Sequence, residues 1–317
     1  MRQPGTPSDR PSVITVRDLH HRFGDHRALD GISFELPRGA VVGLLGRNGA
    51  GKTTLLRLLM GLVRRQQGEM SVLGHDPQDE PMAIKRRVGH VPETPGFYPW
   101  MRVDDLIGFV AHHRPEWDGA WAEELRRRFG IEPSRKVSTL SKGELALLAL
   151  LLALGFRPPL LLLDEPAQGL DPIARERFFQ GVLAGYGDDD GTVVLSTHLI
   201  GDVDALVDHV VMLDHGHVRY QGSTEALRDR VRAYRLSASQ TAESTAEVFD
   251  PRRLSHLASC AVLRSESAGR QSRVVIEAAA EDFEEIEALL TRGGTLRAER
   301  EALDLEQTFV ALAGPAP

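Results

Sequence analysis

Runs of apolar residues, each ended by glycine, proline or polar residues, recur between residue 13 and about residue 225. The runs at 40–45, 160–163 and 192–195 are almost continuously apolar, which is typical of parallel strands that are buried on both faces. The segments at 13–16 and 32–36 also favour strands, and the second alternates apolar and polar positions as a half-buried strand does. The pattern indicates an α/β protein with a mostly parallel sheet.

Helical patterns lie between and after these strands, at 103–130 and at 145–154. The loop at 94–101 carries three aromatic residues and two prolines, so it either folds onto its own domain or forms a contact surface. After about residue 225 the composition changes, and the segment 240–245 is rich in Ser, Thr and Ala. A strand at 273–278 and helices at 281–290 and 305–312 predict a small α+β appendage there.

A complete G-x-x-x-x-G-K-[ST] phosphate loop lies between a strand-like run and a helical run. Its glycines let backbone N–H groups approach a phosphate closely, and the following helix adds the positive end of its dipole. Lys52 supplies a charge for the β- and γ-phosphates, and Thr53 a hydroxyl for Mg²⁺. The motif therefore predicts a nucleotide site rather than a simple glycine turn. The residues assigned to it are Gly46, Arg47, Asn48, Gly49, Ala50, Gly51, Lys52, Thr53 and Thr54.

Two carboxylates and a histidine follow buried strands. Asp164 and Glu165 come directly after the run at 160–163, at the edge where open α/β sheets place their ligands. Because adjacent strand residues point in opposite directions, we expect one carboxylate near Mg²⁺ and the other near a water. The alternative is a strand with an acidic turn. His198 ends the next buried run, and this position favours a γ-phosphate contact over a structural role.

Two further residues have alternatives that the residues themselves leave open. Phe23 precedes a glycine turn ahead of the phosphate loop, and it is either a packed strand-end aromatic or a stacking platform for adenine. Ser141 and Glu144 have the spacing of a capping box, which predicts a helix N-cap at Ser141. That helix start is either structural only or a second anion site built from Ser141 and the Gly143 N–H.

Composition narrows the class of protein. Net charge is −7, from 38 basic and 45 acidic residues, which argues against a nucleic-acid partner. The single cysteine, Cys260, allows no disulfide framework within one chain and fits a reducing cytosol. The longest apolar stretch, 145–156, is too short to span a bilayer. Residues 1–11 are polar with three prolines, which predicts a flexible tail.

The motifs, taken in order, resemble those of the ATP-binding cassette (ABC) ATPases, and most closely those of bacterial ABC-2-type exporters. The matching segments are GRNGAGKTT at 46–54, LSKGE at 140–144, LLLLDEP at 160–166, GLD at 169–171 and STH at 196–198. The resemblance implies a P-loop NTPase core at 12–225 with a mostly parallel sheet and an antiparallel N-terminal β subdomain. It also implies a helical signature subdomain at about 94–157 and an α+β accessory domain at 226–317.

The resemblance further implies a head-to-tail homodimer that holds two ATP molecules with Mg²⁺ between its subunits. One phosphate loop would face Ser141 and Gly143 of the other copy, and Asp171 would lie at the dimer seam. The remaining implied roles are Glu165 as general base or water-polarising group, Asp164 as Mg²⁺ ligand, His198 on the γ-phosphate and Phe23 on adenine.

Two departures from the family pattern stand out. Glu93 replaces a common glutamine, and an acid at this position would still be able to coordinate Mg²⁺. Lys142 and Glu144 replace the Gly and Gln of the common LSGGQ signature, whereas Ser141 and Gly143 remain. Both half-sites are complete, so the resemblance implies a symmetric dimer with two active sites.

The expected function is that of an ATP-hydrolysing subunit that powers a separate membrane permease, in the direction of export. It would be cytoplasmic and peripheral on the inner face of the cell membrane, with the loop at 94–101 in contact with the permease. The alternative is a soluble ABC ATPase that acts on ribosomes or DNA, which the single cassette and the acidic charge balance disfavour. A third hypothesis makes residues 226–317 a regulatory module.

Overall fold

The computed structural model describes residues 11–186, 191–238, 254, 260–291 and 296–314. The strands are β1 (Ser12–Phe23), β2 (His26–Pro37), β3 (Val41–Gly46), β4 (Gln67–Val72), β5 (Val88–Val91), β6 (Leu160–Asp164), β7 (Thr192–Thr197), β8 (His209–Asp214), β9 (His217–Ser223), β10 (Val231–Ala238), β11 (Ala261–Ala268), β12 (Gln271–Glu277) and β13 (Leu296–Glu301). The helices are α1 (Lys52–Leu59), α2 (Pro81–Arg87), α3 (Val103–His112), α4 (Gly119–Phe129), α5 (Lys142–Leu154), α6 (Pro172–Tyr186), α7 (Thr224–Arg230), α8 (Phe283–Thr291) and α9 (Leu305–Ala313).

The chain divides into two compact units. The first contains Met1–His198 and Val211–Tyr220, and the second Leu199–Val210 and Gln221–Pro317. This division places residues 199–210 and 221–225 in the second unit, whereas the sequence assigned them to the ATPase core. The predicted domain boundary at residue 225 stays a prediction.

The main sheet of the first unit has the strand order β5-β6-β7-β3-β8-β9. The pairs β5–β6, β6–β7 and β7–β3 are parallel, and every residue of β6 and β7 is buried. The predicted buried parallel strands are therefore confirmed. Since parallel strands end at one edge of a sheet, the chain segments that follow β3, β6 and β7 meet at a common edge, where Asp164 pairs in register with Ser196.

A second sheet in this unit has the antiparallel order β2-β1-β4, which confirms the predicted antiparallel N-terminal part. Its first two strands are much longer than the runs at 13–16 and 32–36 suggested. The register of β1 against β2 shifts at several points, and Asp18 has a positive φ of 45°. Such irregularities interrupt the strict alternation on which a sequence-based strand assignment depends.

The predicted helical stretch at 103–130 is wrong as one continuous element, because the structure has two helices separated by residues 113–118. Pro115 lies in this connection, where proline prevents continuation of a helix. Asp118 caps α4 by accepting a hydrogen bond from the Trp121 N–H at 2.9 Å. The predicted helix after Ser141 is confirmed as α5, which is buried on almost all sides.

The second unit contains an antiparallel sheet with the order β11-β12-β10-β13. Helix α8 packs on one face through Phe283 and Ile286, which join Tyr234 and Ile276 in a buried cluster. The predicted α+β character is confirmed.

Among the described residues no helix combines the length and hydrophobicity that a bilayer crossing requires. The predicted tail, apart from Pro11, and the segment 240–245 lie outside the described residues.

Candidate nucleotide site

The phosphate loop connects β3 to α1, and Gly51 is the N-cap of the helix, with φ at 104°. A β-carbon on Gly51 would lie 2.5 Å from the carbonyl oxygen of Ala28, so the neighbouring backbone requires glycine here. Gly49 also has a positive φ, of 82°, but a β-carbon there would meet no described atom within 4 Å. Gly49 therefore faces open space, as a loop that cradles a phosphate should.

The loop forms one wall of a cleft of about 330 Å³. The predicted site residues that line it are Phe23, Arg47, Asn48, Gly49, Ala50, Gly51, Lys52, Thr53, Thr54, Glu93 and Glu165. His26, Ala28 and Gln168 also line the cleft, although the sequence reasoning did not select them. Phe23 is 51% exposed, so the alternative of an aromatic packed inside the core is wrong.

Lys52 is buried in the cleft, with 6% of its side chain exposed. Its Nζ donates to the carbonyl oxygens of Gly46 at 2.6 Å and Arg47 at 3.3 Å. The same nitrogen lies 3.1 Å from Oε1 of Glu165, whose side chain is 8% exposed. Each buried charge is thus compensated by the other.

The two adjacent carboxylates have different partners. The Thr53 hydroxyl donates to Oδ1 of Asp164 at 3.1 Å, and the Ser196 hydroxyl donates to the same oxygen at 2.8 Å. The Ser196 hydroxyl also accepts a hydrogen bond from the Glu165 N–H at 3.1 Å. Ser196, which the sequence reasoning did not select, therefore orients both acids. Its small polar side chain at the end of a buried strand was the available signal.

Glu165 is held from its other side by His198. Nδ1 of His198 lies 2.8 Å from Oε2 of Glu165, and the His198 backbone N–H donates to the same oxygen at 3.3 Å. Glu165 itself has a φ of 46°, a left-handed conformation that is strained for a residue with a side chain. Strain that the surroundings enforce at a buried acid supports a functional role for Glu165.

The donor set suits Mg²⁺. The Thr53 hydroxyl and the Asp164 carboxylate are hard oxygen groups in direct contact, and Mg²⁺ in nucleotide sites typically binds one or two such groups together with phosphates and water. Among the described residues, no group of three or more His, Cys, Asp or Glu side chains is arranged to hold a metal without a nucleotide. Glu93 lines the same cleft and adds a third acid to its surroundings.

Ser141 and Gly143 do not line this cleft. The Ser141 hydroxyl accepts from the Glu144 N–H at 3.2 Å, and Glu144 accepts from the Ser141 N–H at 2.7 Å, so the predicted N-cap is confirmed. Burial acts to raise the pKa of Glu144, but hydrogen bonds from Ser141 and Arg135 hold the pKa below its ordinary value.

A β-carbon on Gly143 would lie 2.8 Å from that of Ala174 in α6. Glycine here therefore also lets α5 and α6 approach closely.

Asp171 also lies outside the cleft and caps α6, since its Oδ1 accepts from the Ile173 and Ala174 N–H groups at 3.0 and 2.9 Å. One chain thus brings together the phosphate loop, the acids, His198 and Phe23, but not Ser141, Gly143 or Asp171. The predicted contact of these three residues with another subunit stays a prediction.

Comparison with known proteins gives a consistent family. The family model described as ABC transporter matches residues 29–168. The ABC transporter ATP-binding protein NatA of Bacillus subtilis is 34% identical over 237 residues, which cover 71% of this chain and 95% of NatA. The daunorubicin resistance ATP-binding protein DrrA3 of Streptomyces coeruleorubidus is 36% identical over 222 residues, covering 68% and 70% of the two chains. A solved ATP-binding subunit of an ABC transporter matches with a TM-score of 0.62 and 28% identity, covering 68% of this chain and 92% of that one.

Proposed function

The chain belongs to the ATP-binding proteins of ABC transporters and is an ATPase subunit of bacterial exporter type, and we propose that two copies of it clamp two MgATP molecules to drive a separate membrane permease. The observation that carries this proposal is the contact network of the cleft. It joins Lys52 to Glu165 and His198, and Thr53 to Asp164.

The geometry supports a division of work between the two acids. Thr53 and Asp164 would hold Mg²⁺, which supplies positive charge beside the phosphate oxygens. Lys52 and the loop N–H groups would bind the phosphates directly. When phosphate oxygens bind Lys52 in place of Glu165, His198 alone would hold the Glu165 side chain. One carboxylate oxygen of Glu165 would then be available to accept a proton from the attacking water.

The position of helix α5 supports the dimer part of the proposal. Ser141 and Gly143 lie at the start of α5, outside the cleft of their own chain. A helix N-terminus attracts anions through its free N–H groups and its dipole. Two copies in head-to-tail arrangement would bring each Ser141 to the nucleotide of the other copy, with Asp171 near the seam.

The permease contact is proposed on an apolar surface of the first unit. Tyr98 and Trp100 have rings 5.1 Å apart and are 48% and 69% exposed, and Phe109, which contacts Tyr98, is 46% exposed. A groove of about 390 Å³ opens in the same region, lined by apolar residues that include Phe97 and Leu152. Exposed apolar surface of this kind marks contact sites. A protein docked there on a permease would be cytoplasmic and peripheral on the inner membrane face.

NatA and DrrA3 are named for transport and for drug resistance, and no observation favours an action on ribosomes or DNA. Drug export remains a property of the named relative.

Glu165→Gln tests the proposal. The variant should bind ATP with Mg²⁺ but lose about 10²- to 10⁴-fold in turnover, the range for removal of a general base, and it should accumulate as a dimer with MgATP. Phosphate release and light scattering after size-exclusion chromatography measure the two effects. Glu176→Gln, on an exposed part of α6, is the matched control. Wild-type turnover would contradict the role of Glu165, and a persistent monomer, also with membrane extract added, would contradict the dimer.

A further inference from the structure

Phe23 lies at the end of β1 with half of its surface exposed. One defined ring contact comes from His21, two residues earlier on the same strand. The two ring centroids are 4.7 Å apart and the planes are inclined by 72°, which is the edge-to-face arrangement that aromatic rings favour. His21 is therefore placed to limit the orientations of the Phe23 ring.

The residue type at position 21 requires an explanation. His21 is 4% exposed, and neither ring nitrogen has a hydrogen-bond partner in the described part of the chain. Burial lowers the pKa of the imidazole, so the ring is neutral near pH 7. A buried polar ring without partners destabilises a fold relative to an apolar side chain of similar size. Core packing alone would thus favour leucine or phenylalanine over histidine.

The backbone around His21 is irregular. The register of β1 against β2 shifts between Leu19 and His21 and again between His21 and Arg22. Irregularities of this kind are common next to active sites, where they change the direction of a side chain. Here the irregularities lie in the segment of β1 that leads from its buried part to the exposed Phe23.

His21 also connects the two ends of the nucleotide cleft. Its register partner in β2 is Leu29, and Cδ2 of Leu29 would lie 2.7 Å from a β-carbon on Gly51, the N-cap of α1. A ring contact joins Phe23 to His21, strand register pairs His21 with Leu29, and Leu29 lies against Gly51, so these residues form a series from the proposed base platform to the phosphate loop. A side chain in this series can set the distance and angle between the base-binding and phosphate-binding ends.

We propose that His21 is a positioning residue that holds the Phe23 ring in the orientation required for stacking on adenine. The inference rests on the proposed function, in which Phe23 is the adenine platform. His21 acts through Phe23 and contacts no phosphate, so its effect is confined to ligands that carry a base.

A double-mutant cycle in the full-length chain tests this. His21→Leu removes the aromatic edge but leaves an apolar side chain, so the thermal midpoint should not fall. The KM for ATP should rise about 2- to 10-fold, the range of an edge-to-face ring pair, with kcat unchanged. Affinity for inorganic tripolyphosphate, which lacks a base, should not change. His21→Phe keeps an aromatic edge against Phe23 and should restore the KM to within about 2-fold of wild type.

Phe23→Ala should weaken ATP binding by about 5- to 100-fold if the ring stacks on the base. The double variant His21→Leu/Phe23→Ala should then be no worse than Phe23→Ala alone. Additive losses, an unchanged KM in His21→Leu, or an equal loss of tripolyphosphate affinity would each overturn the positioning role. An unchanged ATP affinity in Phe23→Ala would instead contradict the platform itself, so the two failures are distinguishable.

Discussion

Two helices of this protein begin where the proposed mechanism assigns a phosphate, and their first turns differ. The N-cap of helix α1 is Gly51, which has no side chain and offers no side-chain cap. The N-cap of helix α5 is Ser141, which forms a complete capping box in which Ser141 and Glu144 bond to each other's backbone N–H groups. Glu144 is held in turn by Arg135 at 2.5 Å. The first N–H groups of α1 are left for a ligand, whereas those of α5 are partly satisfied within the chain.

In the proposed mechanism, this difference would make the two phosphate contacts form in sequence. The loop before α1 has its fold, its lysine and its open space at Gly49 within a single chain. The Ser141 hydroxyl already accepts from the Glu144 N–H, so its proton is what remains to donate to a phosphate oxygen, and the nearby acid disfavours an anion. We therefore expect α5 to bind only a nucleotide that the other subunit's loop already holds.

The largest expected effect separates two glycines of the phosphate loop. Gly51→Ala places a β-carbon 2.5 Å from a backbone carbonyl oxygen in a left-handed conformation, so the free energy of unfolding should fall by about 3 kcal/mol or more. Gly49→Ala has only the conformational strain, about 1–2 kcal/mol, but its methyl group enters the open space of the cleft. It should remain folded and lose ATP binding. Chemical denaturation and calorimetric titration measure both. A Gly49→Ala protein that binds ATP normally would contradict the assignment of a phosphate to the open space beside Gly49.

A smaller effect tests whether the Ser141 hydroxyl does more than cap its helix. Ser223 is the matched control, because it caps α7 by accepting from the Ala226 N–H at 3.1 Å, much as Ser141 accepts at 3.2 Å. Ser141→Ala and Ser223→Ala should each lower the free energy of unfolding by about 1 kcal/mol. Only Ser141→Ala should also reduce ATP turnover, by about 10-fold or more if a charge-assisted hydrogen bond is lost. Equal turnover in the two variants would show that the Ser141 hydroxyl only caps its helix.

The same comparison shows what a sequence can predict. The phosphate loop, the capping box and the acids after β6 were predictable because each depends on residues close together in the chain, at fixed spacing. The buried strands were predictable because parallel strands are apolar on both faces. The break between α3 and α4 was missed, although Pro115 and the N-cap Asp118 were local signals.

Other features depend on contacts between distant segments. Ser196 reaches Asp164 across two neighbouring strands, and His26, at the start of β2, and Gln168, after β6, enter the cleft from segments far apart in the sequence. The second reason for glycine at position 143 is a helix–helix contact with Ala174, which requires the packing of α5 on α6. No local pattern contains these distances, so they emerge only when the fold is known.

The smallest expected effect concerns the acid that closes the capping box of α5. The hydrogen bonds from Ser141 and Arg135 lower the folded-state pKa of Glu144 below its ordinary value of 4.5. A lowered carboxyl pKa stabilises the fold above the ordinary value, and the stabilisation is lost as the pH falls through the folded-state pKa. Glu144→Gln keeps an acceptor for the Ser141 N–H but has no charge to titrate. At pH 7 the wild type should therefore be more stable by up to about 1 kcal/mol.

The difference in thermal midpoint between the wild type and Glu144→Gln, about 1–4 °C at pH 7, should shrink from just above pH 4.5 downward. Other carboxylates titrate in both proteins, so only the difference between the two melting curves reports on Glu144. Glu132→Gln, which also removes an acid from the region before α5 but lies outside the capping box, is the control for the loss of a negative charge in this region. A difference for Glu144→Gln that stays constant between pH 7 and pH 3 would show that the charge of Glu144 does not hold the start of α5. The contrast between the two helix starts would then rest on the Ser141 hydroxyl alone.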